Sequence, residues 1–398
     1  MSTAKIAGLI SALALALASL VVHAQNPAPA VTFTGEAPPP SGALTLWYRE
    51  PASDHPYVQP AGRAATAAAT AEWDKALPVG NGRLGAMVFG GVANERLQLN
   101  EDTLYAGGPY DNVNPEAREA LPEVRRLLFE GKYGEGAKLV TDKVLAKPLR
   151  EMPYETVGNL ELTFPAVTSV ENYRRDLDLD TAIARVEYAA GGVEYTREVL
   201  SSPVDQVIAV HLTASQPGKI SFTAAMDTPQ KATVTAAGPG TLIMSGVNGD
   251  AYGIKGALKF ESRVRVLAQG GKTGIDGDKI KVDGANSATI LIVAATSYKS
   301  YKDVSGDPRA ADEKNIAAAA KKPWTAIRDA HIKEHQRLFH RVQLDLGSTP
   351  EARRPTDERI ADFANGRDPQ LAALYFQFAR YLLISSSRPG TQPANLQG

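Results

Sequence analysis

The chain has no cysteine in 398 residues. Thiol nucleophiles, thiolate zinc sites and dithiol redox chemistry are thereby excluded together. Net charge is also lacking: 43 Lys and Arg against 44 Asp and Glu leave −1 at pH 7. No basic field exists to draw nucleic acid. The 22% of charged residues is ordinary for a globular protein. Outside residues 6–22, no stretch is long and apolar enough to span a bilayer. A serine elbow, a P-loop and an EF-hand loop are absent as well.

The one apolar run, IAGLISALALALASLVV (6–22), follows Lys5 and ends in Val22-His23-Ala24, a small-x-small cleavage site. This predicts a secretory signal peptide over 1–24, cleaved after Ala24, and a soluble mature chain that is periplasmic or secreted with no membrane span. Without disulfides, such an exported chain must be stabilised by core burial, which its length permits. Residues 25–43 are rich in Pro and Ala and predict a flexible lead-in.

A folded pattern starts at ALTLWYREPA (43–52), and from 77 to about 300 the sequence reads as many short strands separated by Gly, Asn and Pro. RLQLNE (96–101), ARVEYAAGGVEYTREVLSS (184–202), KISFTAAM (219–226) and ATILIVAATSY (288–298) are examples. The pattern predicts a mainly β, antiparallel sandwich. Residues 55–73 read as a surface loop, and 115–145 as one helical interruption with apolar residues three and four apart. Residues 307–342 are Ala- and charge-rich and predict helix, VQLDLG (342–347) a short strand, and 349–366 a loop and a helix. DPQLAALYFQFARYLLISSS (368–387) predicts a strong helix that buries Leu371, Leu374, Tyr375, Phe378, Tyr381, Leu382 and Ile384. So apolar a helix needs partner helices, and none follow it. The expectation is that the chain stops at the first inner helix of a larger helical domain of a longer protein.

GNGRLG (80–85) matches the dinucleotide fingerprint as letters. A true fingerprint follows a buried strand and opens a helix. Here AEWDKALPV precedes it with no apolar strand, and only AMVFGG follows. The better reading is a glycine turn feeding a β-hairpin, part of whose backbone could lie against a ligand. HIKEH (331–335) places two His one helical turn apart, as in some zinc proteases. No third ligand is specified, and an exposed linker helix explains His331, His335 and His340 more simply. LNEDTLYAGGP (99–109) puts Asn100, Glu101 and Asp102 at a strand end. Adjacent carboxyls point different ways, so they are not by themselves the facing pair of a glycosidase. The choice there lies between a capped loop and a substrate-side or domain-interface role. Trp47, Tyr48, Trp73, Tyr105, Tyr110, Tyr154, Tyr252, Tyr298 and Tyr301 could form sugar platforms, although each ring alone is more often packing.

Taken together, WDKALPVGNGRLGAMVFG (73–90), LQLNEDTLYAGGP, YRRDLDLDTAIARVEY (173–188), YTREVLSSPVDQVIAVHL (195–212), TSYKSYKDVSGDP (296–308) and SSSRPGTQPANLQG (385–398) resemble the N-terminal portion of glycoside hydrolase family 95. That family comprises inverting α-L-fucosidases, mostly acting on α-1,2 linkages, and some α-L-galactosidases. The resemblance implies a β super-sandwich over 44–306, a helical linker over 307–348, and the start of a truncated (α/α)6 barrel over 353–398. It also implies a fucosylated oligosaccharide or polysaccharide as substrate, and neither cofactor nor metal. The family's general-acid Glu, its Asn-x-Asn pair and its Asp would lie beyond Gly398, so no catalytic residue is assigned in this chain. YETVGNL (154–160) departs from the Y-Q-P-L-G-D-L of many relatives. Candidate substrate-binding residues are Asn395 and Gln397 at the pocket rim, with Asn100 and Glu101 reaching across from the sandwich. The rival readings are a non-catalytic carbohydrate-binding or packing module, and a polysaccharide lyase, which the near-neutral charge does not favour.

Overall fold

The computed structural model describes residues 31–394 apart from Gly62 and the side chains of residues 63–65. The expected signal peptide therefore lies outside the described residues. Strands β1 (Thr32–Thr34) and β2 (Thr45–Tyr48) are followed by helix α1 (Arg63–Trp73). Next come β3 (Leu77–Gly80), β4 (Leu84–Val88) and β5 (Asn94–Glu101), then helices α2 (Ala117–Phe129) and α3 (Tyr133–Lys143). β6 (Gly158–Thr163), β7 (Ser169–Asp178), β8 (Ile183–Ala190), β9 (Val193–Ser202), β10 (Val207–Ala214) and β11 (Ile220–Asp227) continue the chain. β12 (Lys231–Ala236), β13 (Thr241–Val247), β14 (Lys259–Gln269), β15 (Lys272–Asp276), β16 (Lys279–Ala285) and β17 (Ser287–Thr296) complete the strands. Helices α4 (Pro308–Ala319), α5 (Trp324–Phe339), α6 (Thr356–Asp362) and α7 (Pro369–Ser386) close the described chain. No helix among the described residues is long and apolar enough to cross a membrane.

The strands form two sheets. One runs β1-β7-β8-β9-β10-β17-β14-β13-β12 with β2 also on β7, and the other β15-β16-β11-β6-β5-β4-β3. Their facing sides hold the main core, which includes Leu97, Leu160, Val210, Phe222 and Ile292. β11 shows the cause, alternating buried and half-buried residues along ISFTAAMD. β17 is instead apolar without a break from Ile290 to Ala295, because both its faces are covered. Ala288, Ile290, Ile292 and Ala294 face the other sheet. Leu291 and Val293 face Ile316 and Ala319 of α4 and Ile327 of α5.

One buried ion pair joins the sheets. Glu95 on β5 meets Arg197 on β9 with both side chains almost fully buried. Glu95 Oε1 accepts from the Phe89 and Gly90 amides at 3.1 and 2.9 Å. Arg197 also donates to the Gly91 carbonyl at 3.0 Å and lies 4.7 Å over the Phe164 ring. Burial pushes the Glu95 carboxyl above its ordinary range, and Arg197 opposes that shift.

Several local expectations are corrected. Residues 63–73 are a helix, not a loop: RAATAAATAEW is mostly Ala, the strongest helix former. The 115–145 helix is two helices, broken at Gly131, which takes φ +74°. VQLDLG pairs with no strand among the described residues. The lead-in is partly ordered, with β1 pairing parallel to β7, so the sandwich is not purely antiparallel. β3 is a strand despite Pro78, at the edge where a missing N–H is tolerated. On α7 the buried residues are Gln370, Leu371, Ala373, Leu374, Gln377, Tyr381 and Ser385. Tyr375 and Leu382, expected inside, are exposed, as are Phe376 and Leu383.

Candidate functional site

GNGRLG and LNEDTLYAGGP meet at one end of the seven-stranded sheet. β3 and β4 pair antiparallel, so GNGRLG is a hairpin turn. Asn81 fixes it: Oδ1 accepts from the Arg83 and Leu84 amides at 3.0 and 2.8 Å, and Nδ2 donates to the Ser202 carbonyl at 3.1 Å. Gly82 takes φ +94°, and its amide donates to the Ser385 carbonyl at 2.7 Å. The glycine backbone therefore lies against the chain's own α7 end, where a ligand had been the expectation. A Cβ on Gly80 would sit 2.6 Å from the Ser385 carbonyl oxygen, and one on Gly82 would sit 2.6 Å from Arg388 Cγ.

A substitution tests that contact. Gly82→Ala adds left-handed backbone strain and a clash with Arg388, together about 2–3 kcal/mol. The expected result is faster tryptic cleavage of the Arg380–Tyr381 bond in α7, whose Tyr381 side chain is fully buried. An unchanged cleavage rate would show that the turn does not hold α7.

The β5 corner lies beside the turn, with Leu84 opposite Glu101 and Gly85 opposite Asn100 in register. Asn100 is half-buried. Glu101 points inward: Oε2 accepts from the Thr103 amide and hydroxyl at 2.8 and 2.6 Å, and Oε1 lies 3.5 Å from Arg83. Arg83 also donates to Gln206 at 2.9 Å and to the Ala294 carbonyl. Asp102 is half-buried and its Oδ2 accepts from the Gln392 amide at 2.8 Å. The two carboxyls still feel each other. Burial, then the Asp102 charge, pushes Glu101 up to about 7. Burial raises Asp102 as well, while the Gln392 amide opposes the rise. Tyr154 donates to the Glu101 carbonyl at 3.0 Å and packs edge-on to Tyr105. Asn395 and Gln397 lie outside the described residues.

The helical side closes on the same corner. Tyr381 is fully buried and donates to the Pro78 carbonyl at 2.6 Å. Arg388 donates to the Ile384 carbonyl at 2.6 Å and forms an ion pair with Glu334 on α5. His331 and His335 are buried on α5, contrary to the exposed helix expected. Their Nε2 atoms donate to the Ala182 and Leu179 carbonyls at 3.1 and 2.8 Å. Burial pushes both imidazoles down to about 4, so they are neutral at pH 7. Half-exposed His340 pairs with Asp180. Among the described residues no three His, Asp or Glu converge to hold a metal. Of the suggested sugar platforms, Trp47 is core, whereas Trp73, Tyr252 and Tyr301 are exposed.

Sequence reading missed Asp312. It lies on α4 one turn before Ile316, inside the buried stripe, and both carboxyl oxygens lack a hydrogen-bond partner among the described residues. Burial pushes it up to about 8, with Arg83 opposing and Glu261 adding to the rise. An acidic residue in phase with Ile316 and Ala319 was the available signal.

The geometry thus describes a junction: a finished sandwich end gripping the first helices of a following domain. Comparison with known proteins gives the same division. Residues 46–301 match the family described as Glycosyl hydrolase family 65, N-terminal domain, and 323–398 match Glycosyl hydrolase family 95 catalytic domain. The second match begins inside the segment expected as linker. Alpha-L-fucosidase 2 of Arabidopsis thaliana is 37% identical over 82% of this chain and 42% of its own length. Probable alpha-fucosidase A of Aspergillus niger is 30% identical over 81% of this chain and 42% of its own. Its namesake in Aspergillus oryzae is 27% identical over 82% and 48%. The chain spans less than half the length of these relatives. It belongs to glycoside hydrolase family 95 and holds that family's N-terminal portion, a sandwich of the family 65 N-terminal type leading into the first helices of a family 95 catalytic domain.

Proposed function

We propose that this chain is the N-terminal portion of an inverting glycoside hydrolase that removes terminal α-1,2-linked L-fucosyl residues from oligosaccharides or polysaccharides. The observation that most supports this is the 37% identity to Alpha-L-fucosidase 2 over 82% of the chain. The catalytic Glu, the Asn-x-Asn pair and the Asp belong to the portion beyond Gly398. There the Glu protonates the leaving oxygen while a held water attacks the anomeric carbon from the opposite face. No cofactor takes part. The sandwich's role is positional: its turn and corner hold α7, on which the catalytic domain is built. Asn395 and Gln397 contact the sugar at the rim, and Asn100 and Glu101 support that rim from below. The protein works in the periplasm or outside the cell.

The full-length protein is expected to release L-fucose from 2′-fucosyllactose, with the β-anomer appearing first by NMR. The 398-residue chain alone is expected to release none. Failure of the full-length protein on fucosides overturns the substrate; release by the short chain overturns the placement of the catalytic groups. In the full-length protein, Asn395→Ala and Gln397→Ala should each lower kcat/KM about tenfold, one hydrogen bond of about 1.4 kcal/mol. No change in either removes the rim assignment.

A further inference from the structure

Helices α2 and α3 form a hairpin that packs on itself and on no other helix or strand to a comparable extent. Val124 and Leu127 are the buried side chains of α2. Its tip is bare: Phe129 is 90% exposed, Tyr133 68% and Leu128 exposed beside Phe129, with the Glu130–Lys132 ion pair between the two aromatic rings in sequence. Helices of 13 and 11 residues are marginal in water without a packed face. A bare aromatic tip on a projecting arm is the composition of an interface anchor.

The arm's root shows what it faces. It is inserted between β5 and β6, whose pairing ends at Leu99 opposite Gly158. It therefore leaves the sheet at the end that carries the GNGRLG turn and the Glu101 corner. Asp102 on one side of the insertion holds the Gln392 amide. Tyr154 on the other side holds the Glu101 carbonyl. The root is closed by Asn114 to the Leu145 carbonyl at 3.1 Å and by ion pairs of Glu116 with Lys143 and Lys147. The arm is thus continuous with the contact already made to the catalytic domain. More than half of the relatives' length lies outside this chain's match.

We infer that the α2–α3 hairpin is a docking arm for the remainder of the family 95 catalytic domain, with Phe129, Tyr133 and Leu128 as its anchor. The inference rests on family membership and on the junction, and it does not depend on the sugar that is cleaved.

Hydrogen exchange tests it in two lengths of the protein. Amides of residues 127–135 are expected to exchange at least tenfold more slowly in the full-length protein than in the 398-residue chain. Phe129→Ser with Tyr133→Ser should abolish that difference in the full-length protein and leave the melting of the 398-residue chain unchanged. Equal exchange in both lengths overturns the inference. So does protection in the 398-residue chain that rises with its own concentration, which would make a second copy the occupant. A full-length protein that protects the arm yet cleaves no fucoside would refute the proposed activity and leave the arm standing.

Discussion

Arg197→Met lowers the unfolding free energy by about 3–5 kcal/mol in urea denaturation near pH 7, the largest single loss expected in the sandwich. The residue is 3% exposed and faces a Glu95 that is fully buried. Removing the guanidinium strands a carboxylate between two sheets, where water cannot reach it. It also orphans the Gly91 carbonyl, which Arg197 now serves. Glu95→Gln added to Arg197→Met should recover much of the loss. Gln keeps an oxygen for the Phe89 and Gly90 amides but carries no charge to strand. A single variant within about 1 kcal/mol of the original, or a double variant no better than the single, would show that the pair does not join the sheets.

The second large effect is a dependence on pH. Asp312 has a folded pKa of about 8 against about 3.9 in an unfolded chain. Below pH 4 the group is neutral in both states and contributes nothing. Between pH 4 and 8 the unfolded chain releases the proton and the folded chain keeps it. Stability therefore falls as pH rises through that window, by about 5.5 kcal/mol in all, and is flat above it. Arg83 from the turn, Glu101 from β5, and Glu261 and Arg263 from β14 are the charges that bear on it. Asp312→Asn removes the titration while Glu101 and the other raised carboxyls remain. Thermal melts should show the variant gaining on the original by about 4 kcal/mol between pH 5 and pH 8.5. A gap that does not widen with pH would mean that Asp312 is ionised in the fold.

The strands were legible because their burial repeats every second residue, as in ISFTAAM. β17 was legible for the opposite reason, a continuous apolar run. α1 was missed because Ala carries helix propensity without periodicity, and the Gly and Pro before it read as loop. VQLDLG was misread because alternation supplies a strand's pattern but not its partner. The exposed Tyr375 and Leu382 show the limit for α7, a helix apolar on nearly all sides. Sequence gives its affinity for neighbours but not which neighbours the described chain contains. At the site, the hairpin turn followed from the missing helix after Gly85. What pressed against its glycines did not, since Ser385 is three hundred residues away and only tertiary packing brings it there. Glu101 and Asp102 were legible as a strand-end pair, but the expectation that adjacent carboxyls point apart hid the electrostatic coupling between them.

The grip on α7 has a consequence for biogenesis. A ribosome delivers the sandwich before residues 369–392, so the Pro78 carbonyl, the Gly82 amide and the Asp102 carboxylate are waiting when that segment emerges. A nascent helix showing Tyr375, Phe376, Leu382 and Leu383 to solvent would otherwise be free to stick to its neighbours. Seated on a completed β end, it is captured as it emerges, and the sandwich acts as a mould for the helix made after it.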